Sequence, residues 1–323
     1  MNAEIFSEWL RRQGHTVVRT ASSYWYNAGP KVLQAFPYHW TIEPSEGELR
    51  RLLLKNNAIA LRYSTNIVAP RGKISYHVVC EDSSYSLSSL PRQTRQNVRR
   101  GLEYGTIELI PFSRLASEGW KLRLDNLERQ GRTGAETEEW WRRLCLSAQD
   151  LSGFEAWGAI HDGQLVASFL AFRCDDCYTL PFEQSLSAHL ESRVNNAIFY
   201  WVTHEAFKRN GISRVFFCLH SLDGAPGVDQ FKFRMGYAAK PVRQRVVFHP
   251  LLAPFLNTAT YAVVRHFLDR KPNRPSLSKA EGMLRFYLEG RCPPNEQDWP
   301  ECLVDRKSEL LEALNFREHS SEV

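Results

Sequence analysis

Three arginines, Arg92, Arg95 and Arg99, stand at i, i+3 and i+7, a spacing that puts their guanidiniums on one face of a helix. Such a row could hold the phosphates of a donor molecule, because the guanidinium fork matches phosphate oxygens. A solvated basic face would carry the same spacing. His220, Ser221 and Asp223 follow the strongly apolar run 215–219. Polar residues just past a buried strand often face a cleft in an α/β sheet. There His220, which titrates near neutrality, could serve as a base, with Ser221 and Asp223 touching substrate; a loop histidine without a role is the competing account. Asn195, Asn196 and Tyr200 share one predicted helix. Asn196 and Tyr200 lie one turn apart and could hydrogen-bond substrate amides, although a polar first turn explains them as well. Tyr24 and Trp25, followed by Tyr26, could line an acceptor groove for a sugar or peptide, or could be ordinary core.

The elements that must position these groups follow from periodicity and turn signals. Residues 91–105 read as a basic helix, 106–112 as a strand, and 115–129 and 136–148 as two helices around the break Gln130-Gly131-Arg132-Thr133-Gly134. Two strands, 154–160 and 164–173, are joined by Asp162-Gly163, a dipeptide suited to a tight hairpin. A third strand covers 178–184. A helix over 192–210 carries the apolar stripe Val194, Ile198, Trp201 and Val202 and stops at Gly211. A strand at 212–219, a short helix at 226–235 and strand structure over 237–248 complete a mixed α/β order. Upstream, residues 1–86 read as a small α/β unit: a helix from Glu4, a strand at 15–20, an aromatic loop at 24–30, a helix opened by the Ser45/Glu48 capping box, and two strands. Downstream of Pro250 the chain reads as helical, with a second capping box at Ser278/Glu281.

Composition limits the classes. In 323 residues, 43% are apolar and 24% charged, the balance of a chain with a real core. Forty-one basic against 36 acidic residues give a net charge of +5, which favours an anionic ligand without pointing to DNA. Seven cysteines fit no disulfide framework. Cys174-Asp-Asp-Cys177 lacks a second ligand pair and reads as the two strand ends of a hairpin, so no metal is expected. The N-terminus lacks an apolar signal region, and no run approaches membrane-spanning length; a cytoplasmic location is the expectation. The motifs G-x-S-x-G, G-x-x-x-x-G-K-[ST] and G-x-G-x-x-G are all absent, which argues against serine-hydrolase, nucleotide-hydrolase and nicotinamide chemistry.

Four stretches carry a family resemblance: the helix Leu90 to Arg100, the hairpin Trp157 to Ala167, the helix from Asn196-Ala197-Ile198 to Gly211, and Phe231-Lys232-Phe233-Arg234-Met235-Gly236. With the element order, they resemble the GNAT (acyl-CoA N-acyltransferase) superfamily, and more finely its FemAB-like branch, which pairs two such modules in one chain. The resemblance implies an α/β (α+β) fold with a mixed central sheet. Residues 1–86 would be a degenerate first module, 87–250 the acyltransferase domain and 251–323 a helical extension. It further implies a transferase moving an acyl or aminoacyl group to an amine acceptor, small-molecule or glycan/peptide, in cell-envelope or polysaccharide biosynthesis. Acyl-CoA or aminoacyl-tRNA would be a co-substrate, with no tightly bound cofactor. In that family the sheet splays where Glu183, Gln184 and Ser185 fall. Glu183 would be the general base, Gln184, Ser185, Asn195 and Asn196 would meet the donor, and Lys232 would neutralise a carboxylate or phosphate. One departure is plain. The family's pyrophosphate-binding loop is glycine-rich, whereas residues 184–193 contain no glycine. A non-catalytic module of the same fold is therefore the alternative.

Overall fold

The computed structural model describes residues 3–132, 134, 136–222, 229–270 and 274–320, and the side chains of 315–320 fall outside that set. The chain begins with α1 (Ala3–Arg12), β1 (Val17–Arg19), β2 (Tyr24–Gly29), β3 (Val32–Phe36), α2 (Glu46–Lys55), β4 (Ala60–Thr65) and β5 (Lys73–Cys80). It continues with α3 (Arg92–Tyr104), β6 (Thr106–Leu109), α4 (Phe112–Arg129), α5 (Glu138–Ser147), β7 (Phe154–His161), β8 (Gln164–Cys174) and β9 (Cys177–Ser185). Next come α6 (Val194–Phe207), β10 (Arg214–Leu219), α7 (Gln230–Arg234) and β11 (Ala238–Phe248). Three helices follow, α8 (Thr258–Arg270), α9 (Pro275–Glu289) and α10 (Lys307–Ser320). From β6 to β11 the order is the one expected: strand, two helices, three antiparallel strands, helix, strand, helix, strand.

The chain forms two compact units. Unit 1 comprises Met1–Gly14, Val78–Cys218 and Asp229–Ala238. Its strands run in the order β5-β10-β9-β8-β7-β6. Strand β8 is buried along nearly its whole length, and the Val194, Ile198 and Val202 stripe of α6 is buried with it in the core. The β7–β8 turn places Asp162 and Gly163 both at positive φ (49° and 78°), which aspartate tolerates and glycine, lacking a Cβ, adopts freely. Cys174 and Cys177 face each other across the β8–β9 turn, where Asp175 takes φ 55°.

Helix α3 packs on α6 at Gly101. A Cβ there would lie 2.3 Å from the Arg193 carbonyl oxygen and 2.7 Å from the Ala197 Cβ. Backbone blocks the first approach, so a side chain must push the helices apart. Gly101→Ala should cost about 1–3 kcal/mol by overpacking. Urea unfolding checks this, and a loss below the error of extrapolation would show that α3 is free to shift.

Unit 2 comprises His15–His77, Leu219–Val228 and Ala239–Val323, with strand order β1-β2-β3-β4-β11-β5. Two readings are corrected here. The stretch 24–30 is no loop: Tyr24–Gly29 is a strand paired antiparallel with β3. Helix α9 begins at Pro275 rather than at Ser278, because proline at the first helical position needs no N–H partner. At α2, Ser45 does accept the Glu48 amide (3.2 Å), but the Glu48 carboxylate turns to the Ser22 hydroxyl (2.6 Å) instead of closing the box. Among the described residues, no helix is long and apolar enough to cross a membrane.

Candidate functional site

Strands β9 and β10 run parallel but pair over three residues only, Cys177–Thr179 with Arg214–Phe216. Beyond Thr179 they part, although β9 continues to Ser185 and β10 to Leu219. The cause is local. Pro181 sits inside β9 and has no N–H for a ladder. The β8–β9 register also slips there, between Leu170↔Phe182 and Phe172↔Thr179, leaving Leu180 and Pro181 opposite one residue of β8. Such a bulge bends the strand that carries it.

Past the bulge, β9 presents Glu183, Gln184 and Ser185. Alternation puts Glu183 and Ser185 on one face and Gln184 on the other, where its amide donates to the Ser168 hydroxyl (3.2 Å). Burial raises the pKa of the Glu183 carboxyl, opposed by the Lys232 ammonium, a hydrogen bond from the Asn195 side chain and the Arg129 charge. Lys232 is itself tied down. Its ammonium lies 2.5 Å from Asp229, 3.5 Å from the Cys218 sulfur and 4.5 Å from the centre of the Phe217 ring. Burial would lower its pKa, but the Asp229 and Glu183 carboxylates outweigh that and raise it, so it stays charged. The Cys218 thiol is pushed up to about 12 by burial and stays protonated. Among the described residues, the buried Ser185 Oγ, Asn195 Oδ1 and Gln184 Oε1 have no hydrogen-bond partner. Buried polar atoms are nearly always paired, so each invites a ligand group.

The turn after β9 is a 3-10 helix, Ser187–Ser192, that leads into α6 through Arg193 in the left-handed region (φ 64°). Its first amide is already engaged. The Ser187 N–H and hydroxyl both donate to the Asp125 carboxylate (3.0 and 2.6 Å), with Arg129 3.7 Å from Asp125. A protein carboxylate thus caps the start of this short 3-10 helix, ahead of α6, which begins at Val194.

Unit 1 therefore gathers Glu183, Ser185, Asn195 and Lys232 around one opening. Arg92, Arg95 and Arg99 also belong to unit 1, on α3, with Arg92 and Arg99 exposed and Arg95 half-buried. Among the described residues, none of the three is ion-paired. Asn196 donates to the Met235 sulfur (3.5 Å). Tyr200 corrects its expected role: it is buried, its ring packs on Tyr85 and His204, and the Leu87 backbone bonds its hydroxyl. Trp25 is also a correction. At 0% exposure, with its indole N–H donated to Thr20 (3.0 Å), it is core of unit 2 and lines no groove. Tyr24, half-buried, lies under Arg19 (5.4 Å).

His220 and Ser221 belong to unit 2. The His220 ring stacks on Tyr76 (4.5 Å) with Nδ1 3.2 Å from the Ser75 hydroxyl, and its carbonyl accepts from Arg62 and Gln244. These contacts hold the loop. Asp223 lies outside the described residues. Sequence reasoning missed Asp125, Arg129, Cys218 and Asp229. Pro181 inside a strand pattern was the available signal for the parting of the strands.

No protein-family model and no curated protein sequence matches the chain. Solved structures do. FemX aligns with a TM-score of 0.53 at 10% identity, over 77% of this chain and 92% of FemX. The C-terminal DUF2156 domain of a lysylphosphatidylglycerol synthetase from Agrobacterium fabrum aligns with a TM-score of 0.51 at 12% identity, over 81% of this chain and 90% of that domain. A conserved protein of unknown function from Bacteroides thetaiotaomicron gives 0.51 at 10% identity, over 76% and 91%. At such identities the likeness is one of fold: this chain shares the mixed α/β fold of FemX and of that DUF2156 domain.

Proposed function

We propose that this protein is an N-acyltransferase that moves an acyl or aminoacyl group onto an amine in the opening between β9 and β10. The observation that carries this reading is Glu183. It is a carboxyl of raised pKa beside a charged lysine and an asparagine whose oxygen has no partner, where two parallel strands part. A carboxylate so placed can take the proton of an attacking amine. The amine nitrogen bonds to the donor carbonyl carbon, and the thioester or ester bond to the leaving group breaks. The Lys232 ammonium supplies positive charge to the oxygen on which negative charge develops. Asn195 and Ser185 orient the reactants. Arg92, Arg95 and Arg99 offer phosphates of the donor a basic face.

A second reading has its own support. The Ser187 amide, inside the stretch 184–193 where the resemblance would put the pyrophosphate loop, is already bonded to the Asp125 carboxylate. A donor that puts no phosphate there, such as an aminoacyl ester, fits the site better than acyl-CoA. A non-catalytic binding module fits it too. A thermal-shift panel of acetyl-CoA, longer acyl-CoAs and aminoacyl-tRNA decides. A donor at a hundred times its Kd should add about 2.7 kcal/mol of apparent stability. Aminoacyl-tRNA is expected to give the shift, and an Arg95→Ala, Arg99→Ala variant should lose it. No shift with any donor would remove the enzyme reading.

A further inference from the structure

Unit 2 contains a cleft of about 590 Å³ whose lining is unusually basic: Arg50, Arg71, Arg245 and Arg291 over a floor that includes Phe286 and Tyr287. The one carboxylate in the lining, Glu46, already pairs with Arg245 at 2.5 Å. Arg291 donates to the Tyr287 hydroxyl (3.3 Å) and lies over its ring (5.3 Å). Among the described residues, Arg50, Arg71 and Arg291 have no acidic partner, and all three are exposed. Three guanidiniums held at one rim without a counter-charge create a positive field that an anion would relieve.

The same rim is apolar in an unusual way. Pro250 and Ala253 line the cleft, and beside them Leu251 is 76% and Phe255 70% exposed. Helix α8, which follows, adds Val263 and Phe267 one turn apart, both more than half exposed. None of its described residues is fully buried; Tyr261, Val264 and Leu268 are half-buried, while Val263 and Phe267 face away from the core. Large exposed apolar side chains grouped in one segment mark an interaction surface. Beside unpaired arginines they form the pattern that suits an anionic bilayer, with apolar groups entering the interface and guanidiniums meeting the phosphates.

We propose that this face of unit 2 docks onto an anionic membrane surface, with lipid phosphates in the arginine cleft and Leu251 and Phe255 in the interfacial layer. The proposal does not depend on the transfer reaction. It also explains why Leu251 and Phe255 stay exposed.

Vesicle sedimentation of the full chain tests it. The protein should pellet with vesicles of phosphatidylglycerol in phosphatidylcholine and stay in solution with phosphatidylcholine alone. Raised salt should weaken the binding. With roughly five-fold per arginine, Arg50→Ala, Arg71→Ala, Arg291→Ala should lower the partition coefficient about a hundred-fold. Leu251→Ser, Phe255→Ser should lower it by about ten-fold or more. Both variants change exposed side chains and should melt with the parent. If one melts lower, the other and the salt dependence still decide. Equal pelleting with both vesicles, none with either, or unchanged partition in the variants would overturn the proposal. Release by millimolar inorganic phosphate at constant ionic strength would overturn it in favour of a soluble phosphorylated ligand.

Discussion

Glu183→Gln should abolish most transfer activity while raising the melting temperature at neutral pH. The two effects share one cause. Burial raises the Glu183 pKa above the ordinary 4.5, against the opposing pull of Lys232, Asn195 and Arg129. Between the ordinary and the raised value the folded protein binds more protons than the unfolded chain, so stability falls as pH rises through that window. Above it, the folded protein carries a carboxylate that it would hold better neutral. Glutamine is neutral at every pH and nearly isosteric, so the variant should gain stability at pH 7 and show no such decline. The same charge is what a general base needs, and its loss should slow transfer on the order of 10²–10⁴-fold. In the parent the rate should rise with pH as Glu183 ionises, with a midpoint above the usual glutamate range, and that limb should vanish in the variant. A variant that stays active would remove Glu183 from the chemistry. One that is both inactive and less stable would make the carboxylate a structural group.

How far the sequence foretells this site depends on the range of the interaction. Asp162-Gly163 and the Cys174/Cys177 turn are legible because hairpin geometry is set by two or three adjacent residues. The α6 stripe is legible because burial on one helix face leaves a period in the sequence. Trp25 misleads because aromatic side chains look alike in a groove and in a core, and only its partner Tyr63, 5.8 Å away ring to ring, decides between them. Ser187 and Asp125 are 62 positions apart, and no local pattern joins them. The missing glycines at 184–193 show that the stretch departs from the family's phosphate loop, but not that its Ser187 amide bonds a carboxylate. Pro181 lies between these cases. Its effect is local, but reading it requires knowing that β9 is an interior strand, which only the pairing with β8 and β10 reveals.

The largest stability effect should come from unit 2. Lys73, at the start of β5, is 2% exposed, and its ammonium is held by the Glu289 carboxylate and the Asp298 carbonyl (2.8 Å) with the Phe286 ring 5.8 Å away. The neighbouring contacts run the same way. The Gln297 side chain accepts from Ile74 N (2.7 Å), and Gly72 N donates to the Gly290 carbonyl (2.9 Å). Residues 289–298 thus clasp the first residues of β5 through one buried charge. Burial lowers the Lys73 pKa, and Glu289 and Asp298 hold it up. Glu289→Gln removes the main support and leaves an ammonium in an apolar setting, a loss of about 3–5 kcal/mol. Lys73→Met should cost less, because Glu289 is partly exposed (23%) and can turn to water. The double variant Lys73→Met, Glu289→Leu should recover most of the stability, since a buried pair replaced by apolar groups of similar volume is often neutral. The pH dependence separates charge from packing. With its folded pKa depressed below 10.5, Lys73 makes the unfolded chain the better proton binder in that window, so stability rises with pH there. Glu289→Gln should widen the window downward and regain stability on going to alkaline pH, and the double variant should show neither trend. Urea unfolding of all four proteins across pH measures this. Equal losses in both single variants with no coupling in the cycle would mean that the clasp is held by its backbone contacts and not by the charge.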